Sequence, residues 1–523
     1  MSLITRLIEL QERHGYLTAE LLGELARRER APLYRLQGLV SFYPHFRTAP
    51  PPRVELSICR DMACWLAGGS ECAARVRQQL TTTPGVEVHE VSCLGRCEIA
   101  PAGALNGVPV PLNDPAQVKQ WAEHAETVPA THTPPRHWRC DPYAEATEHY
   151  GVLQEILRQP SAAGERVLAT VKDSGLRGMG GAGFPTGKKW DLVRQESRTP
   201  RYVICNADES EPGTFKDRVI LAELPHLVIE GMILAGLVVG AERGILYIRH
   251  EYGPERRAFE EALHKARELH LLGNNIQSTG FNFDIEIFVS PGGYILGEET
   301  ALLEALEDKR GEPRNKPPFP GTHGLFGQPT LINNVETLAM VPAIVRRGPA
   351  WWKAQGKPGF AGLKLMALSG HVERPGVYEV PVGTTVRELI ALGGGVKDGR
   401  LLKAFAPGGA SSNFLPASMV DVALDFEALA NAGSMLGSGA VVVVAEGTDM
   451  LALATNVVRF FRNESCGKCV PCRLGSQHAV ELLERVQAGQ ADRKELAALP
   501  ELGETMAQTS ICGLGQVALN PIL

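Results

Sequence analysis

No apolar run in this 523-residue chain approaches the roughly 20 residues that a membrane-crossing helix needs. The longest, "ILAGLVVG" at 233–240 and "GAVVVVA" at 439–445, fall well short of it. Basic clusters are missing too, and with a formal net charge of −6 the chain offers no electrostatic footprint for a nucleic-acid backbone. The opening stretch "MSLITRLIELQERHGYL" lacks an uninterrupted apolar core, because Arg6, Glu9, Glu12 and Arg13 interrupt it. That points away from a secretory signal and sets the expectation of a cytoplasmic protein with no direct membrane insertion. There is no G-x-S-x-G elbow and no H-E-x-x-H helix, so hydrolase templates find nothing to hold. His226, His250, His323 and His371 are assigned no role.

What is present is an ordinary globular composition, 44% hydrophobic and 21% charged, at a length that suits three or four domains of about 150 residues. Leu3, Leu7 and Leu10, then Leu21, Leu22 and Leu25 after a Thr18 cap, fall at helical spacing, and Pro32 can open a third helix. Residues 1–50 therefore read as a helical bundle. "TAPPPR" ends it and "VELSIC" alternates like a strand, opening a second unit over 53–128. A Pro- and Thr-rich stretch, "ETVPATHTPPRHW", predicts a linker at 129–140. Over 141–345, strand-like runs ("RYVICN", "ILYIR", "FDIEIFV") alternate with helix-like ones such as "PERRAFEEALHKARELHLL", the pattern of an α/β domain. Residues 362–445 read as a small α+β module, with "LKLMALSG", "GVYEVPV" and "AVVVVA" as strands around the helix "TVRELIAL". Residues 446–523 read as a helical bundle, from Leu451, Ala454, Val458 and Phe461 and from Val480, Leu483 and Val486.

Eleven cysteines in a compartment that keeps thiols reduced are ligands or core residues rather than disulfides. Cys466, Cys469 and Cys472 stand three apart in "ESCGKCVPCR", with Cys512 of "SICGLG" as the one remaining cysteine in that third of the chain. Three thiolates from one short loop suit three irons on one face of a [4Fe-4S] cubane, with Cys512 on the fourth. Tetrahedral zinc is the alternative, although its sites usually pair two C-x2-C knuckles. Cys59 and Cys64, then Cys93 and Cys97, form two distant pairs that suit a [2Fe-2S] cluster, again with zinc as the alternative. Cys72 and Cys140 have no partner at ligand spacing and are read as ordinary thiols.

"GLRGMGGAGFPTGKKW" holds Gly178, Gly180 and Gly183 in the order G-x-G-x-x-G. The dinucleotide fingerprint needs a strand before it, whereas "ERVLATVKDSGL" reads as helix. A Walker loop is excluded, since Ala182 stands five before Gly187 and Lys188 is followed by Lys189 rather than Ser or Thr. The physical content remains: backbone N–H groups freed by glycine can turn onto an anion, with Arg177, Lys188 and Lys189 adding charge. "NADESE" (206–211) and "GEE" (297–299) follow strands, where carboxylates either accept sugar hydroxyls or sit in solvated loops. "RNKPPFP" (314–320) is stiffened by proline and projects Lys316 and Phe319, either toward a nucleotide or as a plain connector.

In order, "GLRGMGGAGFPTGKKW", "ICNADESEPGTFKDR", "GGYILGEETALLEALEDKRGEPRNKPPFP", "INNVETL" and "ESCGKCVPCRLG" resemble the NADH-binding flavoprotein subunit of respiratory complex I and its soluble relatives. The first 128 residues resemble the thioredoxin-like [2Fe-2S] subunit that usually accompanies it as a separate chain. The resemblance implies an α/β and α+β multidomain protein: a helical bundle with a thioredoxin-like domain, a Rossmann-like FMN- and NAD-binding domain, a ubiquitin-like β-grasp module and a helical [4Fe-4S] domain. It implies FMN held by Gly178, Gly180, Lys189, Asn206, Asp208, Tyr294, Gly297, Glu298, Asn333 and Asn334. NADH would meet Phe184, Glu211, Glu299, Lys316 and Phe319, with Glu299 favouring NAD over NADP by repelling a 2′-phosphate. Leu192 stands where relatives often carry a second aromatic, and Leu296 where many carry cysteine. The implied activity is that of a diaphorase: hydride exchange between nicotinamide and FMN, then single electrons to the clusters, with no residue acting as general base. Fusion of the two modules is similar to NAD-reducing enzymes, so the expected partner is the large subunit of a molybdenum or tungsten formate dehydrogenase. A hydrogenase subunit or the input module of complex I is the alternative, and a zinc-bound, non-redox nucleotide-binding or structural protein is the alternative of a different class.

Overall fold

The computed structural model describes residues 2–81, 83–124, 136–145 and 148–523. Three helices, Leu3–His14, Ala19–Arg28 and Leu33–Phe42, open the chain. Ser2 and Thr18 accept the Thr5 and Leu21 N–H groups, and Pro32 precedes the third helix. Their apolar stripes close on each other and on Leu302, Leu303 and Leu306 of the large domain. The Ile4 N–H reaches Asp308 at 2.9 Å and the Tyr43 hydroxyl reaches the Lys309 carbonyl at 2.6 Å, so the bundle is docked rather than tethered.

Strands β1 (Val54–Cys59), β2 (Val86–Val91), β3 (Ala102–Leu105) and β4 (Val108–Pro111) form a mixed sheet in the order β2-β1-β3-β4. The linker expected at 129–140 lies outside the described residues as far as 135. Its remainder is not free: Trp138 donates to Glu223 at 2.8 Å, the Cys140 N–H to Glu379 at 2.7 Å, and both side chains are buried. A large aromatic gains more from burial than a spacer gains from mobility, which is why this end of the segment packs.

Strands β5 (Tyr202–Ala207), β6 (Arg243–Arg249), β7 (Asp284–Ser290) and β8 (Thr330–Asn334) form a wholly parallel sheet in the order β7-β6-β5-β8. Chain order runs outward from β5 to β7 and then returns to the other side of β5. The apolar run at 233–240 falls almost entirely on the helix Pro225–Val239, nearly all of it buried. A Cβ on its Gly231 would come 2.1 Å from the Leu338 carbonyl oxygen, so glycine is required for this helix to lie against Val335–Arg347. Among the described residues no single helix is long and apolar enough to cross a membrane.

Strands β9 (Leu363–Gly370), β10 (Gly376–Pro381), β11 (Leu402–Ala406), β12 (Leu415–Pro416) and β13 (Ala440–Ala445) make a mixed sheet, β10-β9-β13-β11-β12. The helix Val386–Leu392 covers it, opened by a capping box of Thr385 and Glu388. Helices Met450–Glu464, Val470–Gln487, Leu499–Thr509 and Gly513–Val517 close the chain.

Candidate flavin, nucleotide and iron–sulfur sites

In an open parallel sheet, ligands bind outside the carboxyl ends of the strands where strand order reverses. That point lies between β5 and β8, whose last paired residues are Asn206 and Asn334. The glycine-rich loop comes to this place. The Met179 N–H donates to Thr337 at 2.8 Å, and a Cβ on Gly180 would stand 2.9 Å from that of Asn334. Gly183, at φ +62°, faces the Phe426 ring, which an added Cβ would meet at 2.9 Å. The loop follows the helix Ala163–Ser174 rather than a strand and leads directly into Thr186–Gln195, so the standard fingerprint is absent while its glycine logic persists.

Around the loop the implicated side chains form two sets. Asn206 donates to the Gly297 carbonyl at 2.8 Å, and Asp208 accepts from Ser290 at 2.7 Å; burial lifts the Asp208 carboxyl to about 6. Asn333 accepts the Trp190 indole N–H at 2.8 Å, and Asn334 caps the helix Val335–Arg347. The second set is a charged patch. Lys316 meets Glu298 at 2.9 Å and Glu299 at 3.2 Å, and Lys189 meets Glu299 at 3.6 Å while donating to the Ile332 carbonyl at 2.7 Å. Phe184 and Phe319 leave their rings 44% and 59% exposed, and Leu192 is exposed on the helix that carries Lys188 and Lys189. Apolar rings left in water beside matched charges are what a planar, phosphorylated ligand would cover.

The segment 206–211 is not a solvated loop: Asp208 and Glu209 are buried, and burial lifts Glu209 to about 7. Glu211 is drawn inward, accepting the Tyr294 hydroxyl at 2.5 Å and the Ser411 N–H at 2.6 Å. Burial raises its carboxyl above the ordinary value, against those bonds. Sequence reasoning assigned nothing to the adjoining buried network, in which Lys216 pairs with Asp217 at 2.6 Å and Glu336 at 3.0 Å, while Glu336 takes Lys364 at 2.5 Å. Burial drives Lys364 down to about 8. These partners lie on different elements far apart in the chain, so no local pattern reveals them.

Cys466, Cys469, Cys472 and Cys512 line one cavity, with Ser465, Lys468, Pro313 and Ile295 among its walls. Ile295 belongs to the four-residue turn Tyr294–Gly297, whose ends bond Glu211 and Asn206. Burial pushes the Cys472 thiol up to about 11 and Cys512 up to about 12, and a cation among them would favour their thiolates. Cys59, Cys64, Cys93 and Cys97 are all buried in a second nest. Cys93 and Cys97 place their sulfurs 3.8 Å apart, and the N–H groups of Gly95 and Ala102 reach the Cys93 and Cys64 sulfurs at 3.5 and 3.4 Å. Both nests suit cysteine-bound inorganic groups. Among the described residues no group of three or more His, Cys, Asp or Glu side chains converges so as to hold a single metal ion. Cys72 donates to the Leu112 carbonyl at 2.7 Å, and Cys140 is likewise a buried core thiol.

Comparison with known proteins names the regions that carry these residues. Residues 171–343 match the Nuo51 FMN-binding domain, 452–523 the NADH-ubiquinone oxidoreductase-F iron-sulfur binding region, 1–126 the thioredoxin-like [2Fe-2S] ferredoxin and 366–412 the SLBB domain. The F 2 subunit of the NADH-quinone oxidoreductase of Rhizobium meliloti (strain 1021) is 47% identical over 375 residues, 72% of this chain and 89% of the relative. This chain belongs to the F-subunit family of NADH-quinone oxidoreductases. Within the same family, the NADP-reducing hydrogenase subunit HndC of Solidesulfovibrio fructosivorans is 43% identical over 73% of this chain and 77% of its own length. A solved structure of an NAD+-reducing [NiFe]-hydrogenase in the H2-reduced state superposes with a TM-score of 0.88 at 35% identity, covering 99% of this chain and 89% of that one.

This member of the F-subunit family is therefore a fusion with a thioredoxin-like N-terminal region. It is an oxidoreductase subunit whose cofactors are FMN, a [4Fe-4S] and a [2Fe-2S] cluster, with NAD(H) as redox substrate. Iron–sulfur clusters take the place of the zinc alternative, and the non-redox reading falls with it.

Proposed function

We propose that the chain is a diaphorase subunit that exchanges electrons between NAD(H) and a larger redox partner. The observation that carries this reading is the turn Tyr294–Gly297, which touches the switch-point residues through Asn206 and walls the four-cysteine cavity through Ile295. A flavin-side set of residues and a cluster cavity that share one turn suit electron transfer without a moving carrier.

In this reading Gly178 and Gly180 let the loop backbone approach the FMN phosphate, and Lys189 supplies charge beside it. Asn206, Asp208, Tyr294, Gly297, Glu298, Asn333 and Asn334 hold the rest of FMN, several of them positioned by the bonds that order the strand ends. Phe184 and Phe319 cover the nicotinamide nucleotide, Lys316 and Glu299 fix its polar groups, and Glu211 bears on it through Tyr294. When bound, FMN supplies the conversion between two-electron hydride chemistry and one-electron transfer. Cys466, Cys469, Cys472 and Cys512 hold the [4Fe-4S] cluster, and Cys59, Cys64, Cys93 and Cys97 the [2Fe-2S] cluster. The module boundaries proposed are 1–50, 53–128, 141–345, 362–445 and 446–523.

For the partner, fusion of the modules supports a large formate dehydrogenase subunit with molybdenum or tungsten. A hydrogenase is the second reading, and the match to the NAD+-reducing [NiFe]-hydrogenase over 99% of this chain favours it. Anaerobic addition of NADH, followed by visible absorbance and low-temperature EPR, tests the diaphorase reading. Bleaching of flavin and iron–sulfur absorbance with signals from a cubane and a two-iron centre supports it; a protein indifferent to NADH with both clusters present overturns it. The proteins that co-purify decide between formate and hydrogen.

A further inference from the structure

Buried arginines surround the loop that carries Cys93 and Cys97. Arg249, the last residue of β6, is 4% exposed. It donates to the Cys93 carbonyl at 2.8 Å and to the Glu209 carbonyl at 2.6 Å, and pairs with Glu251 at 2.7 Å. Arg218, on the helix Lys216–Glu223, donates to the Gly95 carbonyl at 3.0 Å and pairs with Glu98 and, at 3.6 Å, with Glu255. Arg96, inside the loop, forks onto Glu255 at 2.8 and 3.0 Å.

A backbone carbonyl such as that of Cys93 needs only a neutral donor, and an amide would satisfy it without burying a charge. What a guanidinium adds is a permanent field. The cluster becomes more negative by one charge when it accepts an electron, and a fixed cation in a low-dielectric surround stabilises that reduced state. Arg249 belongs to the flavin-binding domain, whereas the cysteines belong to the N-terminal module.

We propose that Arg249 is a positioning residue that sets the reduction potential of the N-terminal cluster, raising it from across the module boundary, with Glu251 moderating the effect. The proposal rests on the [2Fe-2S] ligands proposed above. The electron comes from NADH by way of the chain's established redox chemistry; the cluster gains one and Arg249 is chemically unchanged. Arg249 thereby makes the N-terminal cluster a readier electron acceptor than its own four thiolates would allow.

The test is an EPR-monitored redox titration of the full chain with its clusters, comparing the wild type with Arg249→Gln, Arg249→Lys and Glu251→Gln. Arg249→Gln is expected to disfavour reduction of the two-iron centre by about tenfold, a fall of about 59 mV for one electron. Arg249→Lys, which keeps the charge, restores most of that loss. Glu251→Gln, which unmasks the cation, shifts the midpoint upward, and the cubane midpoint is the internal reference. A purely structural contact would not give shifts of opposite sign. An unchanged two-iron midpoint in Arg249→Gln, or a downward shift in Glu251→Gln, overturns the proposal; if Arg249→Gln does not retain the cluster, Glu251→Gln decides it. A wild type with no two-iron signal overturns the ligand reading instead.

Discussion

Replacing Glu230 by glutamine isolates the contribution of one buried acid. Glu230 lies on the helix Pro225–Val239, has no exposed surface, and accepts the Tyr143 hydroxyl at 2.9 Å and the Leu153 N–H at 2.9 Å. It thus pins the segment around Tyr143 and Leu153 onto the flavin-binding domain. Burial lifts its carboxyl from 4.5 to about 7, with Asp141 adding to the rise and the two hydrogen bonds and Arg346 opposing it. Because the folded state holds this proton more tightly than the unfolded one, its contribution is complete below about pH 4.5 and is lost as pH climbs through about 7. At roughly 1.4 kcal/mol per unit, the loss amounts to about 3–4 kcal/mol, or ~300-fold in a local opening equilibrium. Hydrogen exchange over residues 148–157, corrected for the intrinsic rate, reads that opening directly. Wild-type protection should fall by up to that factor between pH 4.5 and 8, while Glu230→Gln, which keeps an acceptor for Leu153, should be nearly flat and better protected at pH 8. An equal pH slope in the two proteins would refute the assignment of the dependence to Glu230.

Three further outcomes bear on the sites. Cys512→Ala, which offers no donor atom, should remove the cubane EPR signal and leave the two-iron signal and flavin bleaching by NADH; retention of an unaltered cubane signal would show that the fourth ligand lies elsewhere. Lys316→Met removes the lysine partner of Glu298 and leaves Glu299 to Lys189 at 3.6 Å, and loss of a charged hydrogen bond of about 1.5–3 kcal/mol should raise the KM for NADH tenfold or more with little change in kcat. An unchanged KM would remove Lys316 from the nucleotide site. Gly183→Ala places a side chain at φ +62° against the Phe426 ring, a cost of about 1–2 kcal/mol from the backbone alone, and should weaken FMN retention as followed by flavin fluorescence on dilution. Unaltered retention would mean that the loop does not cradle the flavin.

Local patterns were sufficient for the elements that depend on neighbouring residues. Thr18 and Pro32 at helix starts, the alternation of "VELSIC" and the three-residue spacing of Cys466, Cys469 and Cys472 each state a short-range requirement, and the structure meets it with a cap, a strand and a shared cavity. The motif series also sufficed for the family, because glycines, carboxylates and cysteines in that order carry one chemistry. Long-range contacts were not legible. Spacing left the carboxylates of 206–211 divided between sugar-hydroxyl acceptors and a solvated loop, whereas Glu211 turns inward to Tyr294 and Ser411, and the end of the expected linker is packed because Trp138 and Cys140 find partners on Glu223 and Glu379. By itself, then, the sequence determined the element types, the thiol groupings and the membership in the NADH-binding flavoprotein family. Only the tertiary structure decided that β8 returns beside β5, that the glycine loop meets Asn334 there, and that Arg249 reaches Cys93. Those contacts depend on which surfaces bury one another, and burial selects partners by shape and charge across the whole chain rather than by spacing along it.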